Sequence, residues 1–204
     1  MRRAFLGLVS AACILTALAA GCLKEGRTMN LQGRTILLVV SEKDFRDSEL
    51  LDPKDYFVKA GASVKIASTD PSKATGVGGL ELHPDLGLEQ AVATDYDAVV
   101  FVGGPGAKVY LWNNEAAAKL AKQAYESGKI AAAICLSPVV LAKAGILEGV
   151  KVTGFDDDQL RSELEAAGAI YTGKQVEVDG RIVTANGPAA AKDFAAAIAK
   201  AIEG

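Results

Sequence analysis

Three cysteines occur in the chain, at positions 13, 22 and 135, and only Cys135 stands in a pattern that could do chemistry. It follows an apolar run, Ile130-Ala131-Ala132-Ala133-Ile134, and precedes Leu136-Ser137-Pro138, where a helix can begin because proline suits a first helical turn. A nucleophile held at such a strand-to-helix turn is an elbow, and small Ala133 and Ser137 on either side let the backbone turn sharply. A thiol at a helix start faces unpaired N–H groups, which favours thiolate and lowers its pKa. The same spacing is equally compatible with a structural cysteine packed inside the sheet.

Cysteine arithmetic isolates this thiol further. Met1-Arg2-Arg3 is followed by an uncharged run from Ala4 to Ala20, the order of a secretory signal peptide, and the run is too short to span a bilayer. Leu18-Ala19-Ala20-Gly21-Cys22 resembles the bacterial lipobox, which implies cleavage before Cys22 and lipidation of its thiol. The expected product is exported and lipid-anchored to a membrane of the bacterial cell envelope. Initiation at Met29 would instead give a cytosolic protein. Cys13 leaves with the leader and Cys22 is acylated, so Cys135 has no partner for an internal disulfide.

The elements that must position the thiol come next. Residues 1–21 read as signal peptide and 22–33 as a polar tether, reaching roughly 35–40 Å when extended. Residues 34–204 remain for one domain. Short apolar runs at Thr35–Val40, Ser63–Ala67, Ala98–Val102 and Ile130–Ile134 read as strands buried on both faces. Helical patterns lie between them at Asp47–Ala60, ended by Gly61, and Asn114–Ser127, ended by Gly128. A short strand at Gly79–Leu82 and a helix at Leu86–Val92 fill the middle. After Cys135 the patterns give a helix at Pro138–Ala144, a strand at Val150–Thr153 and a helix at Asp157–Ala167. A hairpin turning at Asp179-Gly180 and a closing helix at Ala189–Ile202 complete the chain. Alternating strands and helices predict an α/β domain with a mainly parallel sheet and ligands beyond the carboxyl ends of the strands. Three loops qualify: Ser41–Glu49, Gly103–Gly106 and the one opened by Cys135.

Ala132-Ala133-Ile134-Cys135-Leu136-Ser137-Pro138 resembles the cysteine elbow of the ThiJ/PfpI family, within the class I glutamine amidotransferase-like superfamily. Further matches occur in order at Phe45–Pro53, Ala98–Gly104, Gly180–Thr184 and Gly187-Pro188. The resemblance implies a flavodoxin-like three-layer sandwich. It implies that Glu49, four residues before Pro53, touches Cys135 as a protonated carboxyl that donates to sulfur and shuttles protons, and that the amides of Gly104 and Leu136 form an oxyanion hole. It further implies a homodimer. The implied activity is glyoxalase- or deglycase-like hydrolytic chemistry on a small reactive carbonyl or a modified protein side chain, in stress protection.

Departures from the family temper that expectation. Where one branch has a histidine after the cysteine, this chain has Leu136; where it has an acidic residue beyond the Gly-Gly loop, this chain has Lys108. Where the deglycase branch has a histidine after the following strand, Phe155 stands, and Ser137 replaces a glycine. The single histidine, His83, reads as an exposed residue outside the chemistry. A peptidase is therefore the least favoured reading, and a redox sensor in which Cys135 is oxidised to sulfinic acid, or a binding protein with a relict site, stays open as the alternative. One histidine and no cysteine cluster give no metal site, and no cofactor motif is present. The formal charge of −3 becomes −5 once Arg2 and Arg3 leave with the leader, so no basic surface for nucleic acid is expected.

Overall fold

The computed structural model describes Met1 and residues 29–204. Cys22, with the rest of the signal and most of the tether, lies outside the described residues. Among the described residues no helix is long and apolar enough to cross a membrane.

The central sheet grows from β1 (Thr35–Val40), whose last five residues are all buried. Valine, isoleucine and leucine crowd it because both of its faces are covered. It is flanked by β3 (Ser63–Ser68) on one side and β7 (Ala98–Phe101) on the other, both parallel. Outward from β7 come β8 (Ile130–Ile134) and β12 (Ile182–Ala185), again parallel, and then β11 (Val176–Asp179), antiparallel across the Asp179-Gly180 turn. The opposite edge is the two-residue strand β6 (Leu86–Gly87) on β3. The order is β11-β12-β8-β7-β1-β3-β6.

Helices cover both faces in two groups. α1 (Asp47–Lys59) packs on α5 (Ala191–Glu203); α2 (Glu115–Glu126) packs on α3 (Pro138–Lys143), which packs on α4 (Asp158–Ala166). Asn114 and Asp157 cap α2 and α4, each accepting a backbone N–H three residues on, at 3.1 and 2.9 Å. This is the expected flavodoxin-like α/β layout.

The segment between β3 and β7 departs from the expected pattern. Instead of a helix at Leu86–Val92 the chain forms β6 and two 3₁₀ turns, Leu88–Gln90 and Ala93–Asp95. Leu86 and Gly87 find open hydrogen-bonding positions on the edge of β3, and pairing there competes against local helical periodicity. The strands expected at Gly79–Leu82 and Val150–Thr153 are present, shortened to two residues each, and each belongs to a small separate sheet whose other strands went unforeseen. β2 (Lys43–Phe45), β4 (Ala74–Gly76) and β5 (Glu81–Leu82) form one; β9 (Lys151–Val152) and β10 (Ile170–Tyr171) form the other.

For function the decisive feature is register. Val39, Phe101 and Ala133 lie side by side on β1, β7 and β8, and Ile134 lies beside Ala185 on β12. The carboxyl ends of four neighbouring strands are therefore level. The segments leaving these strands meet at one edge, where the strand order switches direction about β1.

Candidate active site

Cys135 comes directly off the end of β8 with φ +62°, in the left-handed region that side chains rarely adopt. Among the described non-glycine residues only Asp44 shares that region. Such a conformation costs about 1–3 kcal/mol and persists only where its surroundings enforce it. Here the enforcement is explicit. The Cys135 N–H donates to Ala185 O at 2.9 Å, continuing the β8–β12 ladder, and Cys135 O accepts the Phe155 N–H at 2.8 Å. One residue on, Leu136 O accepts from Trp112 Nε1 at 2.6 Å in a buried contact. Ser137 Oγ donates to Val102 O at 2.7 Å, so that hydroxyl braces the end of β7 and is spent there instead of serving the thiol.

Glu49 enters from the first turn of α1 and is fully buried, at 0 % exposure. Its Oε2 accepts the Gly103 N–H at 3.1 Å. Its buried Oε1 has no hydrogen-bond partner, and the carboxyl lies beside the Cys135 thiol. Gly103 is what makes the approach possible: a Cβ built there would stand 2.5 Å from Cys135 Cβ and 2.6 Å from Glu49 Oε2. The Gly-Gly turn is locked from the other side by the Arg46 N–H, which donates to Gly103 O at 2.9 Å. Gly104 has φ +113°, and a side chain there would run into the backbone of Asp44 and Arg46.

The amides of Gly104 and Leu136 both point at the Cys135 sulfur, and their pull lowers its pKa. They are outweighed. Burial at 4 % exposure, then the charge of Glu49 beside it, push the thiol up to about 12. The lowering expected from a helix start is thus opposed by the dry setting and the neighbouring carboxyl, and α3 has only six residues. Burial likewise raises Glu49 to about 7, against the opposing effects of Cys135, the Gly103 N–H and the positive Arg46. Each group favours the proton-holding form of the other, so one proton lies between sulfur and carboxyl and Glu49 is placed to carry it.

The remaining sequence candidates divide. Lys108 is bound to Asp157, Nζ to Oδ2 at 2.8 Å, and lies 5.1 Å from the Trp112 ring centroid. Phe155 is 45 % exposed and lines a cavity of about 530 Å³ together with Tyr171, Arg161, Asn186 and Pro188. His83 is exposed, its Nδ1 2.5 Å from Ser72 O, on the small sheet side and not at the thiol. Among the described residues no cluster of His, Cys, Asp or Glu could hold a metal ion. Trp112 escaped sequence reasoning altogether. Its only signal is that it is the single tryptophan, and nothing in the spacing ties it to Leu136, 24 residues away.

The sequence profile of the DJ-1/PfpI family matches residues 34–201. An uncharacterised protein of Methanocaldococcus jannaschii is 40 % identical over 198 residues, covering 97 % of this chain and 93 % of its own. Deglycase PfpI of Pyrococcus furiosus is 33 % identical over 153 residues, 74 % of this chain and 90 % of its own. Among solved structures, the ThiJ/PfpI domain protein of Brachyspira murdochii superposes with a TM-score of 0.80 at 37 % identity, covering 84 % of this chain and 98 % of that one.

Proposed function

The chain belongs to the DJ-1/PfpI family, and on that premise we propose that it is a cysteine-dependent enzyme acting on reactive carbonyls, with Cys135 as nucleophile and Glu49 as proton carrier. The observation that carries this reading is the Glu49 carboxyl, anchored through Oε2 on Gly103 and with Oε1 left for the thiol. The deglycase name borne by relatives about one-third identical supports the substrate class.

A 2-oxoaldehyde would react in three balanced steps. Sulfur bonds to the aldehyde carbon as Glu49 takes the thiol proton and passes it to the carbonyl oxygen, giving a hemithioacetal. The developing oxyanion lies within reach of the Gly104 and Leu136 amides, a contribution of roughly 3–4 kcal/mol where such donors are preorganised. Glu49 then moves the proton from that carbon to the neighbouring one while the hydroxyl proton passes to the ketone oxygen, giving the thioester of a 2-hydroxy acid. Water cleaves the thioester, releases the 2-hydroxy acid and restores the thiol. Glycation adducts on amino groups reach the same thioester with loss of the amine.

Incubation with methylglyoxal should yield lactate in the wild type and none in Cys135→Ser; equal rates in the two would overturn the proposal.

We further propose that Cys22 is lipidated and holds the domain on a membrane of the cell envelope. The leader's order of charge, apolar run and small residues before Cys22 supports it. Metabolic labelling with palmitate should mark the full chain and not Cys22→Ser.

A further inference from the structure

Leu136 N–H and Cys135 C=O belong to one peptide plane, so whatever grips that carbonyl also aims that amide. The grip is the Phe155 N–H, 2.8 Å from Cys135 O. Phe155 is in turn held by Asp157, whose N–H donates to Phe155 O at 2.9 Å and whose carboxylate caps α4. On the other flank the next carbonyl, Leu136 O, is held by Trp112 Nε1.

These two grips come from separate parts of the chain, and Lys108 joins them. From the π-helical turn Ala107–Leu111 its Nζ reaches both carboxylate oxygens of Asp157, at 2.9 and 2.8 Å, while lying against the Trp112 ring. The hydrogen bond from Lys108 holds the Asp157 carboxyl below the usual carboxylate range. With side chains 30 % and 27 % exposed, the pair is neither buried nor freely solvated.

We propose that Lys108 and Asp157 are positioning residues: their ion pair closes a clamp around the elbow and aims the Leu136 amide at the sulfur. Neither touches the thiol. The clamp rests on Cys135 being the reactive group, as proposed above, but it can fail independently of the carbonyl reaction.

The test is alkylation of Cys135 by iodoacetamide, with peptide mass spectrometry from pH 7 to 10 in the full chain. Asp157→Asn retains an N-capping side chain and removes the charge, so helix capping is kept apart from the ion pair. Lys108→Met and Asp157→Asn should each slow alkylation about tenfold at every pH across that range. Lys108→Arg should stay within about twofold of the wild type, and the Lys108→Met/Asp157→Asn double variant should be no slower than either single, as for partners in one interaction. An unchanged rate in both single variants, or an equal loss in Lys108→Arg, overturns the proposal. Should the variants fail to fold, the wild type decides: raising NaCl from 0.02 to 1 M should slow alkylation several-fold through screening, and an unaltered rate overturns the clamp. Lactate formation reads the carbonyl reaction separately, so normal alkylation behaviour without lactate leaves the clamp standing and removes the substrate.

Discussion

The carboxyl of Glu49 meets the thiol of Cys135 across the carboxyl edge of the sheet, with the bare backbone of Gly103 as the wall both rest against. Two groups far apart in the chain thereby titrate as a pair, each pushed upward, chiefly by burial.

This coupling predicts a pH profile. With Glu49 acting as base and its carboxyl raised to about 7, activity on methylglyoxal should rise as pH passes through about 7 and the carboxylate forms. Glu49→Gln should lower the rate by about 10²–10⁴-fold and abolish that rise. Initial rates from pH 5 to 9 check both.

Stability should run the other way. A carboxyl whose folded pKa lies above its unfolded value holds its proton longer in the native state, so the unfolded state binds fewer protons between about 4.5 and 7. Stability therefore falls as pH rises across that window and levels off above it. Relative to Glu49→Gln, the wild type should lose on the order of 2–3 kcal/mol over the window, read from urea denaturation at several pH values.

Gly103→Ala tests the wall. The added methyl would press on both Cys135 Cβ and Glu49 Oε2. It should cost about 1–3 kcal/mol and change the rate of Cys135 alkylation, since overpacking here cannot be relieved without moving one of the pair. Alanine at Gly180, where a Cβ meets nothing within 4 Å but φ is +57°, serves as a control for backbone strain alone. It should leave alkylation unchanged.

Trp112→Phe removes the donor to Leu136 O while keeping most of the ring. The stranded buried carbonyl should cost about 1–3 kcal/mol, lowering Tm by several degrees in calorimetry.

Much of the fold is legible in the residue pattern because it depends on local periodicity. The four apolar runs became β1, β3, β7 and β8, and the caps at Asn114 and Asp157 and the turn at Asp179-Gly180 fall where residue type puts them. Where local pattern competed with an open strand edge, as at Leu86–Gly87, the edge won and the expected helix was absent. Of the strands of two or three residues, those at Glu81–Leu82 and Lys151–Val152 fall inside expected runs, while the others carry too few positions for a period to register.

Cys135, with its strand before and proline after, was marked by sequence alone as the residue to watch, and resemblance supplied Glu49 as its neighbour. What tertiary structure decided was the state of that pair. Helix start and amides argued for a thiolate. Burial to 4 % exposure and a carboxyl against the sulfur pull the other way, toward the proton-holding form of each group. Desolvation is a property of everything packed around a group, and no window of neighbouring residues contains it. The same holds for Lys108, Trp112 and Asp157: each is an ordinary residue in sequence, and only the closing of the sheet's edge brings them around the elbow.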